Sequence, residues 1–215
     1  MRIAILSESR ADEAAVRILV EGVLGRETQP VELCPIQTRG WPSVLRIIPT
    51  VLRHLHYQTD AEALVIVADA NHSPLHHATH EEPGRAETSC RLCRLREQVH
   101  QVQNSLRPVA SRQPQRVQTA IGIAVPAIEA WYRCGLDPQI SEATWIQQFQ
   151  AEAYAHVKNR LKRDVYGTDR PSLTLETEYA SREAQRIRQQ VHLLEASFPN
   201  GFGSLAREVR SWGAT

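Results

Sequence analysis

Glu8, Asp69, Asn71 and Glu129 are the residues of this 215-residue sequence whose setting points most directly to chemistry. Each follows an apolar run of strand type. Ile3-Ala4-Ile5-Leu6 precedes Glu8, Ala63 to Ala68 precedes Asp69-Ala70-Asn71, and Thr119 to Val125 precedes Glu129. If these runs are neighbouring parallel strands, their carboxyl ends gather the acids at one sheet edge, where open α/β sheets place ligands and catalysts. Three carboxylates and an amide brought together repel one another unless a cation neutralises them, and hard oxygen donors select Mg²⁺ or Mn²⁺. The physical use of such a cluster is to polarise a phosphoryl oxygen and position a water for attack. Taken singly, each acid is also explained as a helix cap or a solvated loop residue. Strand-end acids at several corresponding positions favour the joint reading.

Two further groups have chemical potential. His76-x3-His80 followed by Cys90-x2-Cys93 offers two imidazoles and two thiolates, a set that suits tetrahedral Zn²⁺ and would pin an otherwise long loop. The competing account is that Cys90 and Cys93 begin a helix and Cys93 is simply buried. The run Lys158-Asn159-Arg160-Leu161-Lys162-Arg163 places Lys158, Arg160, Lys162 and Arg163 where they could meet a nucleic-acid backbone, although a solvated helix face explains such a run equally well. Asp69-x-Asn71 also matches the nucleophilic Asp of haloacid-dehalogenase-type phosphatases. That chemistry needs a second Asp as general acid and usually sits on the first strand.

The elements that must position these residues follow from hydrophobic periodicity. After the first strand, Ala14, Ala15, Ile18, Leu19 and Val23 recur at helical spacing, with Asp12 and Glu13 in the first turn, where negative charge meets the positive end of the helix dipole. Val31, Leu33 and Ile36 suggest a second strand that Pro35 weakens. Trp41 to Leu55 reads as helical, with Pro42 tolerated at its start and Pro49 predicting a kink or two short helices. Ala63 to Ala68 is a continuous β-branched-rich run and the clearest strand. Asn71 to Ser89 is a long polar loop carrying four of the nine histidines. Cys90 to Leu106 is helical, Pro108 to Arg116 breaks the pattern, and Thr119 to Val125 is a strand. This β-α-β-α-β-α-β order predicts a mainly parallel sheet with helical crossovers. Helical patterns then cover Ala127 to Cys134, Ser141 to Val165, Glu176 to Ala196 and Gly203 to Trp212. The expected organisation is an α/β core over 1–135 with a helical C-terminal extension over 136–215 packed on it.

Composition narrows the class. Lys plus Arg number 25 against 24 Asp plus Glu, a net charge of +1, so there is no global electrostatic footprint for nucleic acid, only scope for a local basic face. No apolar run approaches the length of a membrane span, and the chain starts directly with a strand, which reads as cytoplasmic with no membrane partner. Four cysteines in a chain of this size suggest thiols or a metal site rather than a disulfide framework. The four tryptophans fall in apolar helical patterns and read as core or interface anchors, which leaves an oligomer open.

Glu8 after a strand, with Asp12-Glu13 opening the next helix, resembles the first Toprim motif, and Asp69-Ala70-Asn71 resembles its second, an Asp-x-Asp. Glu129-Ala130-Trp131 after the last core strand is similar to a Glu-x-Trp segment, and Ser197-Phe198 to a C-terminal Phe motif, of small stand-alone Toprim-like proteins. Those proteins resemble the nuclease domain of the OLD (overcoming lysogenization defect) family. The resemblance covers most of the chain. It implies a Rossmann-like Toprim fold and a divalent-metal-dependent nuclease or phosphodiesterase, with a non-catalytic binding or regulatory subunit as the alternative. It also implies Glu8 as metal ligand or general acid/base, Asp69 as metal ligand, Asp12 or Glu13 as holder of a second ion and Glu129 as support. Asn71 departs from the pattern, removing a charge while keeping an oxygen donor. The resemblance further implies a nucleic-acid substrate and a separate ABC-type ATPase partner in phage defence, and no Walker motif occurs in this sequence.

Overall fold

The computed structural model describes residues 1–33, 40–71, 73–82, 87–110, 116–138, 140–145 and 154–212. Continuous apolar runs, which can only be buried with both faces covered, form three of the four strands: β1 (Arg2–Leu6), β3 (Ala63–Asp69) and β4 (Gln118–Ala124). With the short β2 (Gln29–Pro30) they make one all-parallel sheet in the order β2-β1-β3-β4. Ile3 to Leu6 lie beside Ala63 to Ile66, and Ala63 to Asp69 lie beside Gln118 to Ala124. The chain steps outward from β1 to β2, then crosses back to the other side of β1. β1 and β3 therefore flank the topological switch point, where the strand ends leave a crevice.

Alternate residues of the strands feed two cores. Ile3, Ile5, Val65 and Val67 pack with α1 (Arg10–Leu24) and with the C-terminal helices α4 (Ile128–Arg133), α5 (Tyr154–Tyr166), α6 (Leu173–Arg188), α7 (Val191–Ser197) and α8 (Phe202–Ser211). Ala4, Leu6, Leu64 and Ile66 face α2 (Trp41–Gln58) and α3 (Arg91–Ser105). The segment after residue 135 is thus one half of a sandwiching layer, sharing buried side chains with the strands. No described helix is long and apolar enough to cross a membrane.

Local chemistry fixes the joints. Ser9 caps α1 by accepting from the Ala11 N–H at 3.2 Å, and Gly25 ends it in a left-handed turn. Buried Glu21 of α1 accepts from the Thr28 N–H (3.0 Å) and hydroxyl (3.1 Å), anchoring the entry to β2. Arg96 of α3 reaches across to α8, donating to the Ser204 hydroxyl (3.1 Å) and Glu208 Oε1 (2.7 Å), while Glu208 Oε2 accepts from the Ile121 N–H of β4 at 2.7 Å.

Three expectations need correction. The second strand is confined to Gln29–Pro30, with Val31 adding one bond from its N–H to the Ile3 carbonyl (3.0 Å); Leu33 is not in a strand, and Pro35 and Ile36 lie outside the described residues. Pro30 has no N–H for a ladder, so pairing cannot propagate far along this edge. Of the two outcomes expected at Pro49, the split into two helices does not occur: α2 runs through it as one helix, because its apolar stripe of Val44, Ile48, Val51, Leu52 and Leu55 is buried along the sheet and outweighs one missing bond. The helix expected over Glu176 to Ala196 starts earlier and breaks at Gln189–Gln190, giving α6 and α7. The chain turns there against Gly22 of α1, where a Cβ would meet Val191 Cγ1 at 2.8 Å and the Arg188 carbonyl at 3.0 Å. The helix expected over Ser141 to Val165 is helical at 142–145 and again in α5, and what lies between falls outside the described residues.

Candidate functional site

Glu8 leaves β1 at the switch point, and its Oε1 accepts from the Asp69 N–H at the end of β3 (3.0 Å), so the two acids meet across neighbouring strands. Gly40, the N-cap of α2 with φ +71°, comes up on the other side; a Cβ there would lie 3.8 Å from Glu8 Oε2. Asp69 Oδ1 accepts from the Ile128 N–H at the start of α4 (3.0 Å), and Oδ2 pairs with Lys158 Nζ of α5 (2.8 Å). Glu129, one residue into α4, is 4% exposed; its carboxylate lies 3.9 Å from Lys162 Nζ, and Oε2 has no hydrogen-bond partner among the described residues. Lys162 also pairs with Glu176 of α6 at 3.1 Å. Asp12, in the first turn of α1, accepts from the Tyr132 hydroxyl at 3.5 Å.

Electrostatics reflect this crowding. Burial first, and then the charge of Asp69, pushes Glu8 up to about 7, and the same two causes push Glu129 up to about 7. Asp12 is raised well above the ordinary carboxylate range by burial and by Asp69, Glu129, Glu176 and Glu8. The hydroxyls of Tyr132 and Tyr166 are raised by burial and then by the surrounding acids, Asp12 first for Tyr132 and Glu129 first for Tyr166, so both stay protonated as donors. Lys158 and Lys162 supply part of the balancing charge.

Glu8, Asp12, Asp69 and Glu129 are thus gathered at one sheet edge. Glu13 is not with them: Arg10 and Arg17 are the charges beside it. Asn71 follows β3 with a left-handed backbone (φ +48°), its N–H donating to the Pro126 carbonyl at 3.0 Å. The basic run does not form one strip. Lys158 and Lys162, one turn apart, point into the acidic cleft, whereas Arg160 lies over the Trp145 ring (5.6 Å) and Arg163 is exposed. The i, i+4 spacing of the two lysines was the available signal for their shared direction. Sequence reasoning missed Glu176, Tyr132, Tyr166 and Arg91. Arg91 donates to the Asp69 carbonyl and lies 4.0 Å from Glu8 Oε1, and nothing local in the sequence marks it.

A second cluster joins the connection after β3 to the first turn of α3. His76, His80, Cys90 and Cys93 offer ligand atoms all within 4.8 Å of one another. Cys93 Sγ is 3.4 Å from His76 Nδ1 and 3.7 Å from His80 Nδ1, and Cys90 Sγ is 3.7 Å from His76 Nδ1. Burial pushes the Cys90 thiol up to about 11. This His₂Cys₂ set suits a tetrahedral metal such as zinc.

No family model matches this chain, and no curated protein or solved structure matches it.

Proposed function

We propose that the acidic cleft is the centre of a Toprim-type, divalent-metal-dependent nuclease or phosphodiesterase. The observation that carries this reading is Glu129, a carboxylate buried beside Asp69 and Asp12 whose Oε2 has no hydrogen-bond partner among the described residues. A buried, incompletely satisfied acid among other acids costs stability, and a hard cation is the ligand that offsets the cost. Glu8, Asp69, Glu129 and Asp12 are the residues that would hold Mg²⁺ or Mn²⁺, with Asn71 as a neutral oxygen donor. When bound, such an ion supplies Lewis-acid polarisation of a phosphoryl oxygen. In the alternative role, with the ion held by Asp69, Glu129 and Asp12, Glu8 takes a proton from the attacking water. Lys158 and Lys162, released from full pairing with the acids, stabilise the charge that develops on phosphate. With this reading come a nucleic-acid substrate and a separate ATPase acting in phage defence.

One observation favours the non-catalytic subunit instead. Lys158 Nζ already sits 2.8 Å from Asp69 Oδ2, so a protein cation occupies part of the ground a metal would need. The deciding experiment is cleavage of plasmid DNA, single-stranded RNA and a nitrophenyl phosphodiester with and without Mg²⁺ or Mn²⁺. Metal-dependent cleavage that drops at least about a hundredfold in Glu8→Gln and in Asp69→Asn supports the hydrolase, in line with the loss of a group acting only in the transition state. No cleavage by the wild type, alone or with a cognate ATPase, leaves the binding subunit.

A further inference from the structure

We propose that His76, His80, Cys90 and Cys93 bind one Zn²⁺ as a closed structural site, which fastens the loop after β3 to the first turn of α3. This site stands independently of the hydrolase reading, because its donors are sulfur and imidazole, which select against the oxygen-seeking ions of the cleft. A tetrahedral zinc with thiolate and imidazole ligands places those ligands about 3.3 to 3.8 Å apart. The pairs Cys93–His76 at 3.4 Å, Cys90–His76 at 3.7 Å and Cys93–His80 at 3.7 Å already have that spacing. Four protein ligands complete the tetrahedron and leave no position for water or substrate, so the role is structural.

Burial disfavours a free thiolate at Cys90, and the start of α3 offsets part of that cost. Cys90 is the N-cap residue of α3 and Cys93 is in its first turn, where the helix dipole stabilises thiolate. Binding converts two thiols to thiolates and releases two protons to solvent, with no electron transfer. Arg96 Nη1 lies 3.3 Å from His76 Nε2 and can only donate, so without metal the imidazole proton sits on Nδ1, facing the thiols. Coordination through Nδ1 places that proton on Nε2 and turns Arg96 away from the ring, leaving it on Ser204 and Glu208 of α8. Arg91, next in sequence to Cys90, sets its guanidinium on the Asp69 carbonyl. A zinc staple at Cys90 therefore also fixes one wall of the acidic cleft.

The test is a Co²⁺ titration of the chelator-treated full chain, followed by optical absorption. One equivalent with tetrahedral visible bands and thiolate-to-cobalt charge transfer, displaced by Zn²⁺, is expected. A Cys90→Ser/Cys93→Ser double variant should lose both signals. His80→Ala should weaken binding at least about a hundredfold, and His80→Cys should retain it with stronger charge transfer, a rescue that carries the test if the double variant does not fold. A folded wild type that takes up neither ion, a cobalt spectrum indifferent to both cysteines, or equal loss in His80→Ala and His80→Cys would overturn the site. Zinc at about a thousandfold excess over its Kd should raise the melting temperature of the wild type by roughly 5 to 15 °C. Identical melting with and without zinc would overturn the structural role.

Discussion

Asn71 has a left-handed backbone, a conformation that Asn and Asp both tolerate, so Asn71→Asp changes charge without forcing the chain. If the cleft holds a divalent ion, Asn71→Asp should tighten Mn²⁺ about tenfold or more by calorimetry, because an added carboxylate within a few ångströms of the ion is worth at least about 1.4 kcal/mol. A weaker or unchanged affinity would remove Asn71 from the ligand set. Glu8 and Glu129 make a second residue-level prediction. Both are raised to about 7 from an ordinary 4.5, by burial and then by Asp69, so the folded state holds their protons more tightly than the unfolded state does. The stability they contribute is complete below about 4.5 and is lost as pH rises through 7. Metal-free protein should therefore melt at a higher temperature at pH 5 than at pH 8, and the difference should shrink in Glu129→Gln. Added Mn²⁺ should stabilise more at pH 8 than at pH 5, since it needs the ionised acids. A fluorimetric melting series across pH checks both signs.

At the scale of elements, the joint between α1 and the α6–α7 break has no room for a side chain at Gly22. Gly22→Ala should lower stability by about 1 to 3 kcal/mol in urea unfolding, as overpacking does, despite the higher helix propensity of alanine. A neutral or stabilising result would mean that the α7 start yields easily. This joint also shows where sequence reading stopped. The strands that carry Glu8 and Asp69 were legible because continuous apolar runs between polar residues have few other solutions. The break at Gln189–Gln190 was not, because the residues flanking it keep a helical pattern and the break lies where the chain packs against Gly22. For the same reason the strand-end acids could be placed from sequence, while Glu176 and Arg91 could not, since they enter the cleft by tertiary contact alone. Lys158 and Lys162 stood between these cases: their spacing put them on one face without saying what that face met.

At the scale of the whole molecule, the helices after residue 135 complete the core that Ile5, Leu19, Val65 and Val67 share with Val157, Ala180 and Phe202. A chain ended at residue 135 should therefore not fold cooperatively; it should bind a hydrophobic dye and show no sharp melting transition. A stable, two-state 1–135 fragment would overturn this expectation. The contact from Glu208 to the Ile121 N–H has a further consequence. β4 is an outer strand, and the outward backbone donors of such a strand are what another chain would need in order to zip onto the sheet. One carboxylate from α8 spends the donor in the middle of that strand, and β2 at the far side is two residues long and contains a proline. Glu208→Ala removes that contact and should bring concentration-dependent aggregation, measured by light scattering, under conditions where the wild type stays clear.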